Sequence, residues 1–340
     1  MREAVIKRPG HFLLLVRSHV HMFGVLMVVL GLAIIPLLTP SYAILSLFDL
    51  SLIYCCLTLS WNLIAGYVGQ FSLATAGFFG LGGYSLAVLA TDLKVSPVLS
   101  IALAGIIAAF LALGTGVLLL RLREEFFSIA TLGLAVTLRV ILSSWDARLG
   151  ATTRNVPSAR AFSGATKYYI ILICTLVVIL AVYKISKSRL GMGLVAVRDD
   201  ELSAECIGVP SFYYKLISFA ISAFFAGVAG GLYVFHKTWV YSHHILGLSW
   251  TILPIILCVV GGLGTILWPT IMSFAYAFMF EGVLARFPTL NMIVYGSALI
   301  VVTVVLPKGL ADLSISKLER SYKHLLRVIG KVKGRSVAGN

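Results

Sequence analysis

Asp199, Asp200 and Glu201 stand together ahead of Leu202, Ala204, Cys206 and Ile207, and Gly208 and Pro210 follow. Acids in the first turn of a helix complement the positive end of its dipole. Glycine closes a helix in the left-handed conformation, and proline prevents its continuation. The spacing predicts a short helix with an acidic start and a small apolar side, a shape that can dock in the groove of a partner. Asp49 and Glu281 sit instead inside long apolar runs, where an acid costs about 2.5–3.5 kcal/mol at a helix centre. An ion relay needs chains of such groups. Neither acid has an intramembrane Lys or His nearby in sequence, so both are expected to face protein or an interface.

A second group is polar but uncharged. Asn62, Gln70, Ser72 and Thr75 alternate with Gly66, Gly69, Gly77, Gly80, Gly82 and Gly83 in an apolar stretch. Backbone that leaves a helix inside lipid is tolerated only where protein or a water-filled cavity surrounds it. Glycines with side chains able to bond freed carbonyls predict a broken helix beside a solute pathway. Close helix packing through small residues is the alternative use of the same glycines. Gly227 and Gly231 in "SAFFAGVAGG" read as such a packing face, and "VVGGLGTILWP" (259–269) reads as a second turn. The translocation path is therefore assigned to Asn62, Gly66, Gly69, Gln70, Ser72, Thr75 and Gly77.

The elements that position these residues follow from composition. Of 340 residues, 59% are hydrophobic and 12% are charged, whereas soluble domains run at about 45–50% and about 25%. Lipid is the solvent such a chain requires. A span takes about 20 apolar residues at about 1.5 Å each. Spans are expected near 21–38, 42–65, 73–91, 97–120, 126–145, 168–186, 214–236, 248–265, 267–285 and 290–306. The fold class is an all-α polytopic integral membrane protein of about ten transmembrane helices (eight to ten), with Gly-broken helices around a translocation path.

The net charge of +14 does not indicate nucleic acid, because the basic residues fall between apolar runs and in the tail, as the positive-inside rule expects. With both termini cytosolic, 19 of the 27 Lys and Arg lie on the cytosolic side. The organisation is a basic, cytosolic or interfacial N-terminus (1–20), a transmembrane domain (21–306) with an outer loop (143–167) and a cytosolic loop (187–213), and a basic cytosolic tail (307–340). In that tail Leu313, Leu318, Tyr322, Leu325 and Ile329 share a helical stripe suited to an anionic leaflet or to a solubilising end. The first residues lack an Ala-x-Ala-like cleavage site and carry Arg17, so no signal peptide is expected. Cys55, Cys56, Cys174 and Cys258 lie in apolar runs and read as small core hydrophobes. No metal cluster, catalytic triad, carboxylate pair or phosphate-binding loop of the form G-x-x-x-x-G-K-[ST] is present. No catalysis, metal or resident cofactor is expected of this chain, and energy must come from a partner.

Five stretches occur in an order that resembles the branched-chain amino-acid ABC-transporter permeases of the LivM type. They are "WNLIAGYVGQFSLATAGFFGLGGY" (61–84), "LRLREEFFSIATL" (120–132), "SRLGMGLVAVRDDELSAECIGVPSFYYKLISFAISAFFAGVAGGLYV" (188–234), "GGLGTILWP" (261–269) and "LPKGL" (306–310). The likeness covers roughly residues 40–312.

The resemblance implies an importer subunit in the cell inner membrane for branched-chain or hydrophobic amino acids, or a related small solute. Its partners would be a homologous second permease, two cytosolic ATPases that bind ATP and Mg, and an extracytoplasmic substrate-binding protein. Arg198, Asp199, Asp200, Glu201, Ala204, Glu205 and Gly208 would form the ATPase-coupling segment, with Ala204 and Glu205 in its "EAA"-like core. Arg148, Arg154 and Arg160 in the outer loop suit acidic patches on a binding protein, since complementary charge steers docking. The chain departs from the family pattern at Thr75, where many relatives carry histidine, and at Glu124, where glycine is usual. Gly150 is the one glycine kept where relatives often carry Thr-Gly-Gly-x-x-Gly. Other readings are a sugar- or nucleoside-type ABC permease and a carrier working alone.

Overall fold

The computed structural model describes residues 31–37, 41–148 and 153–283. The expected span 290–306, most of 21–38 and both basic ends lie outside them. The chain divides into residues 1–46 and 47–340. In the first, residues 31–37 are helical.

The elements in order are α1 (Tyr42–Asn62), a π-helical turn π1 (Leu63–Tyr67), α2 (Thr75–Thr91), α3 (Pro97–Leu119) and α4 (Glu124–Arg148). Then come β1 (Thr153–Asn155), α5 (Pro157–Arg160), α6 (Gly164–Lys187), α7 (Arg189–Asp199), α8 (Glu201–Cys206) and α9 (Ser211–Lys237). The series ends with β2 (Trp239–Tyr241), α10 (Ser242–Ile245), α11 (Ser249–Gly261), α12 (Leu267–Tyr276) and the π-helical turn π2 (Ala277–Val283).

Among the described residues, six helical stretches are long and apolar enough to cross a membrane: Tyr42–Tyr67, Pro97–Leu119, Glu125–Trp145, Gly164–Lys187, Ser211–Lys237 and His243–Gly261. The expected span at 73–91 is a helix of 17 residues, shorter than an ordinary crossing because the chain enters it from the non-helical stretch 68–74. The expected span at 267–285 is α12 followed by π2. Exposed apolar residues recur at helical spacing. They are Ile106, Phe110, Leu113 and Val117 on α3, and Ile173, Val177 and Leu180 on α6. Stripes of this kind on an outer surface match a hydrocarbon solvent. The fold is that of an all-α polytopic membrane protein, with one small strand pair outside the all-α expectation.

The core is a trio of helices brought together by glycine. A Cβ added at Gly82 would lie 2.1 Å from the Gly227 carbonyl oxygen, and one at Gly230 would lie 1.8 Å from that of Phe79. Gly227 also packs against Ala108 and the Ala104 carbonyl of α3. Without side chains in the way, α2, α3 and α9 approach backbone to backbone, as small-residue interfaces in membranes do. Beside them the chain is buried from Asp49 in α1 through π1 to Val68. The carbonyls of Ser60 in α1 and Leu63 in π1 accept hydroxyl hydrogen bonds from Ser222 and Ser218 of α9 at 2.7 and 3.3 Å.

At one end of the bundle, β1 pairs antiparallel with β2, Arg154 opposite Val240. Thr238 takes a left-handed conformation at φ 64° to end α9. Cys55, Cys56 and Cys258 are buried and all five cysteines are free thiols.

Candidate functional site

At Asn62 the α1 ladder gives way to the wider π turn, and residues 68–74 then run non-helically to Thr75. The freed backbone groups are bonded by protein, as membrane depth requires. The Gln70 N–H donates to the Ile64 carbonyl at 3.2 Å, and Trp61 Nε1 donates to the Ser72 carbonyl at 2.9 Å. The Leu73 N–H donates to Thr131 Oγ1 at 3.0 Å, and Ser128 Oγ donates to the Phe71 carbonyl at 2.7 Å, both from α4. Thr251 of α11 accepts from the Ala76 N–H at 3.0 Å and donates to the Leu73 carbonyl at 3.2 Å.

A second break follows α11, where Gly262 (φ 113°) and Gly264 (φ 73°) take conformations that other residues rarely adopt. Asn62 joins the two breaks. Its Nδ2 donates to the Thr265 carbonyl at 2.6 Å and its Oδ1 accepts the Gly264 N–H at 2.9 Å. Gly66 completes the joint, since a Cβ there would lie 2.1 Å from Asn62 Oδ1 and 2.5 Å from the Gly264 nitrogen.

Arg198 reaches the same joint from the loop between α6 and α9. Its Nη1 donates to the Gly66 carbonyl at 2.8 Å, 132 residues away in the chain. Asp199 Oδ1 accepts from Nε and Nη2 at 3.2 and 3.1 Å and fixes the guanidinium plane. Gly69, at φ 84°, lies so close that a Cβ would meet Arg198 Cγ at 2.9 Å.

Arg198 and Asp199 therefore close α7, while Asp200 caps α8 by accepting the Ser203 N–H at 2.9 Å. The expected single helix from 198 to 208 is thus two elements meeting at an extended Asp200. Of its expected apolar side, Ala204 is buried whereas Leu202 and Ile207 are 75% and 76% exposed. Glu205 accepts the Ser211 hydroxyl, Glu201 pairs with Lys215 Nζ at 2.6 Å, and Gly208 ends the element at φ 86°. The Ser203 N–H holds the Asp200 carboxyl below the usual range. Partial burial pushes the Glu201 carboxyl up, but hydrogen bonds from Lys215 and Ser211 and the Lys215 charge leave it lowered overall.

Both shifts are downward, so each contributes to folding above the ordinary carboxylate range and loses that contribution as pH falls through the lowered value. Asp200→Ala is expected to make the 200–208 segment more sensitive to limited proteolysis at neutral pH, with Asp200→Asn retaining the cap. Equal cleavage of wild type and Asp200→Ala would remove the capping role.

The expected path residues Asn62, Gly66, Gln70, Ser72, Thr75 and Gly77 are buried and Gly69 is half-buried. Gly77 packs on Ala135 and Leu138 of α4, so it serves helix contact beside the break. The outer-loop arginines are not equivalent. Arg154 pairs with Asp92 at 3.0 Å with its side chain 13% exposed, and its guanidinium lies 5.4 Å from the Tyr84 ring centroid. Arg160 is exposed and donates to Asn155 at 3.1 Å, and Arg148 ends α4.

Two partnerships of the intramembrane acids escaped the sequence. His236 Nδ1 lies 2.9 Å from Asp49 Oδ2, with Lys167 close enough to act on the same carboxylate. Tyr54 donates to Glu281 Oε1 at 2.8 Å. They stand 187 and 227 residues apart, so the signal available was only that His236 and Lys167 border apolar runs.

A family model described as branched-chain amino acid transport system / permease component matches residues 43–303. The high-affinity branched-chain amino acid transport system permease proteins LivM of Salmonella typhimurium and Escherichia coli are 25% and 24% identical over 300 residues, which is 79% of this chain and 70% of each relative. No solved structure matches.

Proposed function

Because the chain belongs to the branched-chain amino acid transport system permease family, we propose that it is the membrane permease subunit of an ATP-driven importer. The cargo would be a branched-chain or other hydrophobic amino acid, or a related small solute. The chain works with a homologous second permease, two cytosolic ATPases and an extracytoplasmic binding protein. The 187–213 loop faces the cytosol and the 143–167 loop faces outward, where Arg148 and the exposed Arg160 would meet the binding protein and Arg154 holds the loop to Asp92.

The observation that carries this reading is the Arg198 guanidinium seated on the Gly66 carbonyl. The α7–α8 segment is thereby bonded to the joint between the two broken helices. When ATP binding draws the ATPases together, a displacement of α8 pulls on π1 and on the Gly264 turn. Helix breaks around a pathway are the places where small displacements open or close access. Binding here must stay weak, because a path that held its cargo tightly would trap it.

Leu202 and Ile207 present an apolar edge to solvent beside the acidic start of α8. Such an edge suits the groove of an ATPase. Leu202→Asp combined with Ile207→Asp is expected to leave the permease in the membrane, to stop co-purification of the ATPase subunits and to abolish uptake in proteoliposomes. Unchanged uptake by the double variant would remove the ATPase-coupling assignment of this segment.

A further inference from the structure

Of the two acids inside apolar helices, Asp49 meets the His236 imidazole, whereas Glu281 meets no ion-pair partner among the described residues. The Asp49–His236 pair is buried on both sides. Among the described residues, no Lys, Arg or His side chain comes within ion-pair distance of Glu281. Its Oε1 accepts the Tyr54 hydroxyl hydrogen bond, and the residue is exposed at the surface of this chain. Tyr54 lies near the middle of a 26-residue span, which puts the carboxylate at depth. A charge at that depth is retained where it faces a water-filled cavity or a partner group, and it marks substrate and ion pathways.

Through Tyr54, Glu281 adjoins a cluster of aromatic rings that also holds the His244 imidazole, 6.3 Å from the Tyr233 ring and 6.2 Å from Trp250. Tyr54 meets Tyr276 at 5.5 Å and Trp250 at 6.0 Å between ring centroids, and Trp250 meets Tyr233 at 4.8 Å. The four rings come from α1, α9, α11 and α12, so the fold has brought them together rather than local sequence. Aromatic rings attract cations through their quadrupoles, and ligand sites combine apolar walls with a few placed polar groups. A single carboxylate set among tyrosine and tryptophan rings recognises an organic ammonium group. An amino acid with an aliphatic side chain offers an ammonium to the carboxylate and hydrocarbon to the rings.

Resting on the importer reading, we propose that Glu281, with Tyr54, Tyr233, Trp250 and Tyr276, forms a mid-membrane site for the α-ammonium group of the transported amino acid. The contact is made with the charged amine, so the site discriminates by head group and leaves side-chain selection to the binding protein.

The test uses the assembled permease complex in nanodiscs without binding protein and reads its tryptophan fluorescence. The probes share one skeleton: L-leucine, leucine methyl ester, which keeps the ammonium and loses the carboxylate, and 4-methylpentanoate, which has no ammonium. Leucine and the ester are expected to give saturable changes and 4-methylpentanoate none. Glu281→Gln, which keeps an acceptor for Tyr54, is expected to weaken both responses at least about tenfold, the scale of losing a desolvated cation contact. An equal response to 4-methylpentanoate, or undiminished binding in Glu281→Gln, would overturn the site. The probe comparison needs no variant, so a substitution that failed to assemble would not blunt it. ATP-driven leucine uptake left intact by Glu281→Gln would also overturn the site while leaving the importer reading in place. If the wild-type complex took up no branched-chain amino acid yet bound the ester through Glu281, the site would stand and the importer reading would fall.

Discussion

Arg198→Ala is expected to lower ATP-driven uptake about 10- to 100-fold in proteoliposomes while the permease remains inserted and still binds its ATPases. The magnitude follows from one hydrogen bond to a charged group, about 1.5–3 kcal/mol, acting on the balance between two conformations at about 1.4 kcal/mol per tenfold. The Gly66 carbonyl takes the Nη1 donor at 2.8 Å, while the Asp199 carboxylate orients the guanidinium from the other side. Removing the side chain leaves α8 free to move without pulling on the joint. Hydrolysis should therefore persist while transport is lost, and uptake and ATPase rate measured on the same vesicles separate coupling from assembly. Arg198→Lys keeps the charge but not the planar fork that serves carbonyl and carboxylate together, so partial uptake is expected. Uptake by Arg198→Ala within twofold of wild type would show that the force travels elsewhere.

Gly82→Val is expected to have the largest effect on stability, removing most monodisperse protein from detergent extracts in size-exclusion chromatography. Overpacking costs about 1–3 kcal/mol when neighbouring side chains can yield. At Gly82 the obstacles are main-chain atoms of Gly227, its carbonyl oxygen at 2.1 Å and its Cα at 2.5 Å from a Cβ. Backbone cannot turn aside, so α2 and α9 would have to separate along a contact that also includes Gly230 against Phe79. Gly133→Ala is the matched control, because a Cβ there meets nothing within 4 Å and alanine raises helix propensity. A well-behaved Gly82→Val protein would mean that the two helices do not pack through this glycine.

The two experiments probe different uses of one amino acid. Gly82 gives up its side chain so that helices can touch, and Gly66 gives it up so that two chain breaks can share one asparagine. If both predictions hold, the glycine-rich stretch is rigid where α2 meets α9 and movable where Arg198 grips π1.

Several features were legible from residue order alone. Long apolar runs with basic punctuation specify membrane helices, since hydropathy and length are local properties. The breaks at Gly69 and at Gly262–Gly264 were readable because positive φ favours glycine. The end of α8 at Gly208 was readable for the same reason, and the small-residue face of α9 could be read from its four-residue spacing. Tertiary structure alone decided which glycines turn the chain and which admit a neighbour. It also decided that Arg154 is held by Asp92, that Asp49 has His236, and that Glu281 stands among rings from four helices. Arg198 shows the reason most directly: its partner is 132 residues distant, and periodicity along a chain carries no information about which helices become neighbours. That choice is made by the fit of whole helix surfaces, where backbone contact through glycine sets the distances over which every polar side chain must then reach.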